Sequence, residues 1–413
     1  MTSAEESSAP PSVPEAEVGS PSKVRLSGID AARGVALLGM MAVHALLVAD
    51  AQGDPTASYW IAAGRSAALF AVLAGVGISL TTGRARAGWD RRGGGAAASL
   101  VARALALAVI GLLLGYTDSE FATVILVYYS ALFLMAIPLL FAPTRVLVGI
   151  GTATALFMPV VSHLLRNGGL PVLDSHPSPT SLLEPGVLVV DVLLTGTFPA
   201  LPWIAYLCAG LVIGRLRLSR PLVARRLFAT GLAMGIGAKL VSLLLLGPLG
   251  GSDRITAAAT GNGMTADEVS DILAFGGDGI TPTDTWWWLA TAAPHTSTPV
   301  DLIHTIGTAA AVIGFFLIVT DTAPEAFGDR VATFLTPLRA AGSMTLTLYA
   351  AHVLFLNSPL DVFGAITGYV VQVLVALVFA TLWSQARGSG PLESVVTNVS
   401  KRARAAVTTR GAH

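Results

Sequence analysis

The chain has 413 residues, 53% of them apolar and only 12% charged, with a mean hydropathy of +0.70. A water-soluble domain carries about twice that share of charge, so a soluble enzyme or binding module is excluded. The formal charge is zero, 25 basic against 25 acidic residues, and no nucleic-acid partner is expected from that balance.

Residues 1–24 are rich in Ser, Pro, Ala and Glu and hold no basic residue before Lys23. Such a stretch cannot bury enough surface to order itself and lacks the parts of a signal peptide, so it reads as a disordered cytoplasmic tail. Beyond it, apolar stretches of about bilayer length recur near 27–49, 59–81, 98–116, 121–141, 145–165, 199–216, 222–247, 300–320, 337–357 and 361–385. They predict an all-α polytopic integral membrane protein with about ten transmembrane helices in one domain over 25–385. A shorter apolar piece, Pro185–Gly196, contains Asp191 and leads into the break Thr195–Pro199. It predicts a re-entrant or interfacial half-helix. Residues 386–413 read as a basic cytoplasmic tail. The only cysteine, Cys208, lies in an apolar run, so no intrachain disulfide can form. The abundance of Ala, Gly and Arg fits a GC-rich bacterial genome, and hence a bacterial plasma membrane.

Basic residues set the orientation. With the amino terminus inside, Arg84, Arg86, Arg91, Arg92, Arg215, Arg217, Arg220, Arg225 and Arg226 fall in inner segments, while the outer ones hold Arg166 and Arg254. Both termini are therefore expected in the cytoplasm. Two outer segments, 166–185 and 248–299, are rich in Gly, Pro, Asp and Thr, and are expected to be long functional loops. The second carries Trp286, Trp287 and Trp288, which read either as an interfacial belt or as a platform for stacking sugars.

Ionisable side chains inside a span are costly, so each is a candidate for function. Arg33 and His44 are eleven residues apart in the first span. At 100° per residue they share one helix face, roughly 16 Å apart. Arg33 lies toward the inside and His44 toward the outside. That face can hold a long anionic donor at one end and move protons at the other. Asp30 pairs with Arg33 at helical spacing, and with Ser27 also fits a capping box; Arg33 as a snorkelling residue and His44 as a packing histidine are the plain structural readings. Arg65 sits at about the depth of His44, where it either stabilises a developing oxyanion or snorkels to the interface. Tyr349 and His352 approach the outer leaflet in the ninth span and are candidates to join His44. Arg103 reads as a snorkelling residue, and Lys239 has no assignment. Gly64, Gly75 and Gly77 read as close helix packing. His295, His304 and Asp301 match no metal-ligand spacing, so no metal is expected, and both histidines read as solvated loop residues.

The first span, Arg25–Met40, resembles the opening helix of the heparan-alpha-glucosaminide N-acetyltransferase catalytic-domain family and of the related YeiB-like bacterial membrane proteins. Gly64–Gly77, Thr195–Trp203 and Gly342–Tyr349 are similar to later motifs of that family, in the same order. The resemblance covers about 25–385. It implies a transmembrane acyltransferase that takes acetyl or acyl groups from cytoplasmic acyl-CoA to a glycan, amino-sugar or lipid-linked acceptor across the membrane. The Arg33-to-His44 spacing also resembles the Arg-to-His motif of bacterial O-acyltransferases that modify surface polysaccharides. One departure stands out. The lysosomal enzyme is expected to have an Asn near the His44 position and its reactive His in the outer segment that follows, whereas no His occurs here between Ala45 and Ser162. Taken with the residue readings above, Asp30 and Arg33 are the candidates for donor binding, and His44, Arg65, Tyr349 and His352 those for catalysis. His44 serves either as general base or as an acylated relay. Membrane lipids are expected partners and a homodimer is allowed. The alternatives are a transporter of small anions or metabolites and a non-catalytic membrane protein.

Overall fold

The computed structural model describes residues 26–173 and 175–409. The amino-terminal segment read as a disordered tail lies outside the described residues. Among those described, the chain is helical, with one isolated bridge between Ala49 and Pro55 as its only β pairing.

In chain order, α1 spans Ser27–Ala45, α2 Ala57–Ala62, α3 Arg65–Thr81, α4 Arg91–Leu114, α5 Leu126–Leu140 and α6 Thr144–Arg166. The short α7, Pro185–Val190, widens into a π turn to Thr195 and meets α8, Ala200–Arg215, at a bend of 50°. Then come α9 (Pro221–Leu246), α10 (Gly251–Gly261), α11 (Ala266–Phe275) and α12 (Pro299–Phe316), which runs on as a π turn to Asp321. The chain continues through α13 (Glu325–Phe334), α14 (Thr336–Ser343), α15 (Thr345–Leu356), α16 (Ala365–Arg387) and α17 (Pro391–Thr409).

Every stretch expected to span is helical, but the count of ten is not supported. Among the described residues six helices are long and apolar enough to cross a membrane, or seven if the bent pair around α7 and α8 is one span. The others fall short for physical reasons. At 1.5 Å per residue, α5 reaches about 22 Å and α15 about 18 Å, against a hydrocarbon core of about 30 Å. The expected span 337–357 is two helices, interrupted at Met344. In α1, Asp30, Arg33 and His44 dilute the apolar character. That helix need not face lipid, because it is largely buried among α3, α12, α14, α15 and α16.

Small residues allow the central helices to touch. A Cβ on Gly210 of α8 would lie 2.0 Å from the Val72 carbonyl of α3, and one on Gly342 of α14 would lie 1.8 Å from the Asp30 carbonyl of α1. Only glycine fits such crossings. The rim is apolar by contrast. On α16, Val370, Leu374, Val378 and Leu382 form an exposed stripe at every fourth residue, the surface a lipid-facing helix presents.

Three further expectations are corrected. Residues 248–299 are not a structureless loop: α10, α11 and the Trp286–Ala290 turn enclose a small core of Ile255, Ala259, Val269 and Trp288. Trp288 is fully buried there, with its indole N–H on Asp284 at 2.7 Å, while Trp287 carries the Arg254 guanidinium over its ring at 4.8 Å. Of the three, Trp286 alone is exposed, its ring stacked on that of His163 at 4.3 Å, so the three do not share one face. The carboxy-terminal segment read as a tail folds as α17 and packs along α4. The first helix has no side-chain cap of its own, because Ser27 is already its first residue. Instead the carboxylate of Asp321 accepts from the N–H groups of Ser27 at 2.8 Å and Gly28 at 2.6 Å. A carboxylate there satisfies two orphan donors and meets the positive end of the helix dipole. Replacing Asp321 by Ala should therefore cost about 1–2 kcal/mol, the size of a lost cap. Denaturation in detergent micelles measures this; unchanged stability would contradict the capping role.

Candidate functional site

The two ends of α1 face two separate cavities. At the Arg33 end lies a cavity of about 380 Å³, lined by Arg33, Gly77, Arg103, Tyr129, Phe133 and Glu393 among others. Arg33 pairs with the buried Asp30 at 3.3 Å, so its guanidinium is held on the α1 face. Gly77 leaves room for it, since a Cβ there would sit 3.0 Å from Nη2 of Arg33. Arg103, read from sequence as snorkelling, lines this cavity too, with its guanidinium 5.5 Å over the Phe133 ring. Glu393, at the start of α17, accepts from Leu346 N at 2.6 Å, Thr347 N at 3.1 Å and the Thr347 hydroxyl at 2.6 Å. It thereby caps the helix that begins at the Met344 interruption. A wider cavity of about 520 Å³ adjoins, sharing Thr81 and lined by Arg86, Arg92 and Arg404. Together the two cavities present five arginines, a setting for a polyanionic ligand.

At the other end, Nδ1 of His44 lies 3.2 Å from Nε2 of His352, with the two rings nearly coplanar at 9°. Nδ1 of His352 in turn lies 2.6 Å from Oε1 of Gln372 on α16. His44 also borders a cavity of about 30 Å³, room for about one water, with Met40, Gly64, Ser66, Thr123, Phe198 and His295 on its walls. His295 is the second polar ring here. Its Nε2 accepts from the Gly64 N–H at 3.2 Å, so its proton is on Nδ1, a buried atom with no hydrogen-bond partner. Its backbone is left-handed at φ 53°, uncommon for a residue other than glycine. Outliers of this kind collect at functional sites. Gly64 has φ 69° and serves this turn rather than helix packing. Tyr129 separates the cavities: it lines the larger one, and its hydroxyl donates at 3.2 Å to the carbonyl of Ala67, which lines the smaller.

The sequence-derived set is thus brought together only in part. His44 and His352 meet. Tyr349 is adjacent but engaged, donating to Thr123 O and accepting from Ile125 N, each at 3.3 Å, and so shapes the wall of the small cavity. Arg65 is not among the residues that line it. Its neighbours Gly64 and Ser66 are, while Arg65 turns away to donate from Nε to Nε2 of His304 at 3.1 Å and from Nη1 to the Trp60 carbonyl. His304 is not a solvated loop residue but is buried in α12, with Nδ1 on the Gly235 carbonyl at 2.8 Å. Lys239 gains an explanation there, 4.8 Å over the Trp60 ring. Two contributors, Gln372 and Glu393, escaped the sequence reading, and His295, read there as a solvated loop residue, lies at the site with its Nδ1 buried. The doubled Pro-flanked turn Pro294–Pro299 marks an unusual loop around His295. Gln372 is a polar residue within an apolar span, which is a signal in its own right. Glu393 carried none.

The described residues thus form a helical protein with an arginine-lined cavity at one end of a central helix and a histidine pair at the other. The family model of heparan-alpha-glucosaminide N-acetyltransferase, catalytic, matches residues 25–243, more than half the chain. The chain belongs to that family, which is transmembrane and acetyltransferase-like. No curated protein matches it. The matched region holds Arg33, His44 and Arg103 but ends before His295, His352, Gln372 and Glu393. Among the described residues no group of three or more metal-ligating side chains occurs.

Burial pushes the His295 imidazole from 6.5 down to about 4, against the opposing charge of Asp278. Burial penalises the imidazolium, so the ring stays neutral and its Nδ1–H remains available across the range of about pH 5–8. The linked stability is fully present above pH 6.5 and is lost as pH falls toward 4. A histidine NMR titration should show no His295 midpoint above about pH 5; a midpoint near 6.5 would contradict this burial.

Proposed function

We propose that the protein transfers an acetyl or acyl group from acyl-CoA to a glycan, amino-sugar or lipid-linked acceptor on the far side of a bacterial plasma membrane. The observation that carries this reading is the placement of Arg33 and His44 on one helix, each at its own cavity. The arginine-lined end suits the phosphates of acyl-CoA: Arg33 and Arg103 lie inside, and Arg86, Arg92 and Arg404 at the adjoining mouth. The basic residues at this end support, by the charge rule, a cytoplasmic side for it and for both termini.

At the other end His44 acts as general base. It takes the proton from the acceptor hydroxyl or amine as the acceptor's oxygen or nitrogen bonds to the thioester carbonyl carbon. The carbonyl oxygen becomes an oxyanion, and Nδ1–H of His295 is the donor that meets it, a neutral histidine in an electrophilic role. This replaces the assignment of that role to Arg65, whose Nε and Nη1 donate to His304 and to the Trp60 carbonyl. Collapse breaks the carbon–sulfur bond, and His44 returns the proton to sulfur, leaving free CoA and the acylated acceptor. An acyl-histidine route uses the same ring as nucleophile.

Free CoA release in oriented vesicles tests the reading. Inverted vesicles loaded with a glycan acceptor and given acetyl-CoA outside should release CoA, and right-side-out vesicles loaded in the same way should not. Arg33→Ala should weaken acyl-CoA binding, with Arg33→Lys restoring it only in part, because a bidentate phosphate contact needs the planar fork. His44→Asn should lower turnover by about 100-fold or more with binding intact. Near-normal turnover in His44→Asn would refute the base assignment. Passage of an anion without CoA release would favour a transporter.

A further inference from the structure

A general base works only if its bare nitrogen faces the substrate, and a neutral histidine has one bare nitrogen and one N–H. In the His44–His352 contact the order of protons is set from outside the pair. Oε1 of Gln372 accepts, so the short 2.6 Å contact places the proton of His352 on Nδ1. Neutral His352 then has a bare Nε2, which accepts from Nδ1–H of His44. That leaves Nε2 of His44 bare. Gln372 itself is 8% exposed, and its Nε2 is buried without a hydrogen-bond partner beside Met41, Val371, Val375 and Phe379. Leaving half an amide unpaired in an apolar groove is unfavourable, and leucine would fill the same volume without that penalty. The amide is therefore retained for what its oxygen does.

We infer that Gln372 is a positioning residue that, through His352, fixes His44 in the tautomer with its proton on Nδ1 and its basic Nε2 free for the acceptor. This rests on the acyl-transfer reading above for its consequence, not for its geometry. When Nε2 of His44 takes the acceptor proton, the Nδ1 proton can pass to Nε2 of His352. The resulting imidazolium of His352 holds its other N–H on the Gln372 oxygen. The reverse transfer restores Nδ1–H of His44 as Nε2–H is given to the departing sulfur. No proton is gained or lost over the cycle. The family match stops at residue 243, so neither His352 nor Gln372 lies within it.

Two substitutions separate positioning from packing. Gln372→Leu keeps the volume and removes the acceptor. It should lower kcat about 10- to 100-fold, the span of a misoriented general base, while KM for acetyl-CoA stays near the wild-type value. Gln372→Glu keeps an acceptor that cannot donate and so enforces the same proton order; its kcat should stay within roughly threefold of wild type, given that the oxygen contact survives. A residue needed only for packing would give the opposite ranking, with the apolar variant tolerated and the buried acid disabled. Chromatographic monodispersity and acetyl-CoA binding verify folding of both variants.

The imidazole ¹⁵N spectrum supplies a readout independent of activity. The resonances lost in His44→Asn should show Nε2 unprotonated in wild type, and a tautomer mixture in Gln372→Leu. Wild-type kcat in Gln372→Leu, a loss in Gln372→Glu as large as in Gln372→Leu, or a protonated Nε2 on His44 would each overturn the inference. A wild-type protein with the expected tautomer but no acyl transfer would refute the functional reading and leave the proton order standing.

Discussion

Ionisable groups placed in a hydrocarbon layer must find partners inside the protein, and α1 carries three of them in 19 residues. Much of the architecture answers to that constraint. Asp321 reaches from the end of the α12 π turn to the amino terminus of α1. Asp30 holds Arg33, and Gly77 on α3 gives the guanidinium space. His352 and Gln372, from two later helices, complete the chain that begins at His44. A helix this polar is unsuited to the lipid-facing rim, so it is central, and the apolar helices α4, α6, α9 and α16 surround it with surface fit for lipid. The small residues at the α3–α8 and α1–α14 crossings let the backbones of this centre come into direct contact.

Apolar run length made the helical membrane class and the positions of the helices legible, because period and composition carry that information locally. It overcounted the spans because a run of apolar residues does not show where the helix breaks. Met344 interrupts one run, and α5 is shorter than its run. The segment 248–299 was illegible for a related reason. Its core is built from Ile255, Ala259, Val269 and Trp288, spaced over more than thirty residues in a background of Gly, Thr and Asp. Of the site, the Arg33–His44 register could be read from helix geometry alone, and the His44–His352 contact was within reach of depth arguments. What could not be read was direction. Arg65 stands at a suitable depth and points to His304, because one residue along a helix turns the side chain by 100°. His295 looked solvated because nothing in sequence shows that Gly64 meets its ring.

The division of labour along the chain follows from this. The family-matched half, 25–243, holds Arg33, Arg103 and His44, the proposed base. The second half holds the groups packed against them: His295 beside the small cavity, His352 and Gln372 in line with His44, and Glu393 in the arginine-lined cavity. Tyr129, bonded to the Ala67 carbonyl, stands between the two cavities, so a donor bound by its phosphates has to move that ring or pass beside it to reach His44.

The central claim is that one helix binds the donor at one end and acts on it at the other. A structure of the protein bound to a thioether analogue of acetyl-CoA, which cannot transfer its acyl group, tests that claim most directly. The account predicts phosphates at Arg33 and Arg103, with the nucleotide toward Arg86, Arg92 and Arg404. It also predicts the thioether sulfur past Tyr129, with the carbonyl beside His44 and His295. An analogue bound elsewhere, or held by the arginines with its sulfur directed away from His44, would contradict it.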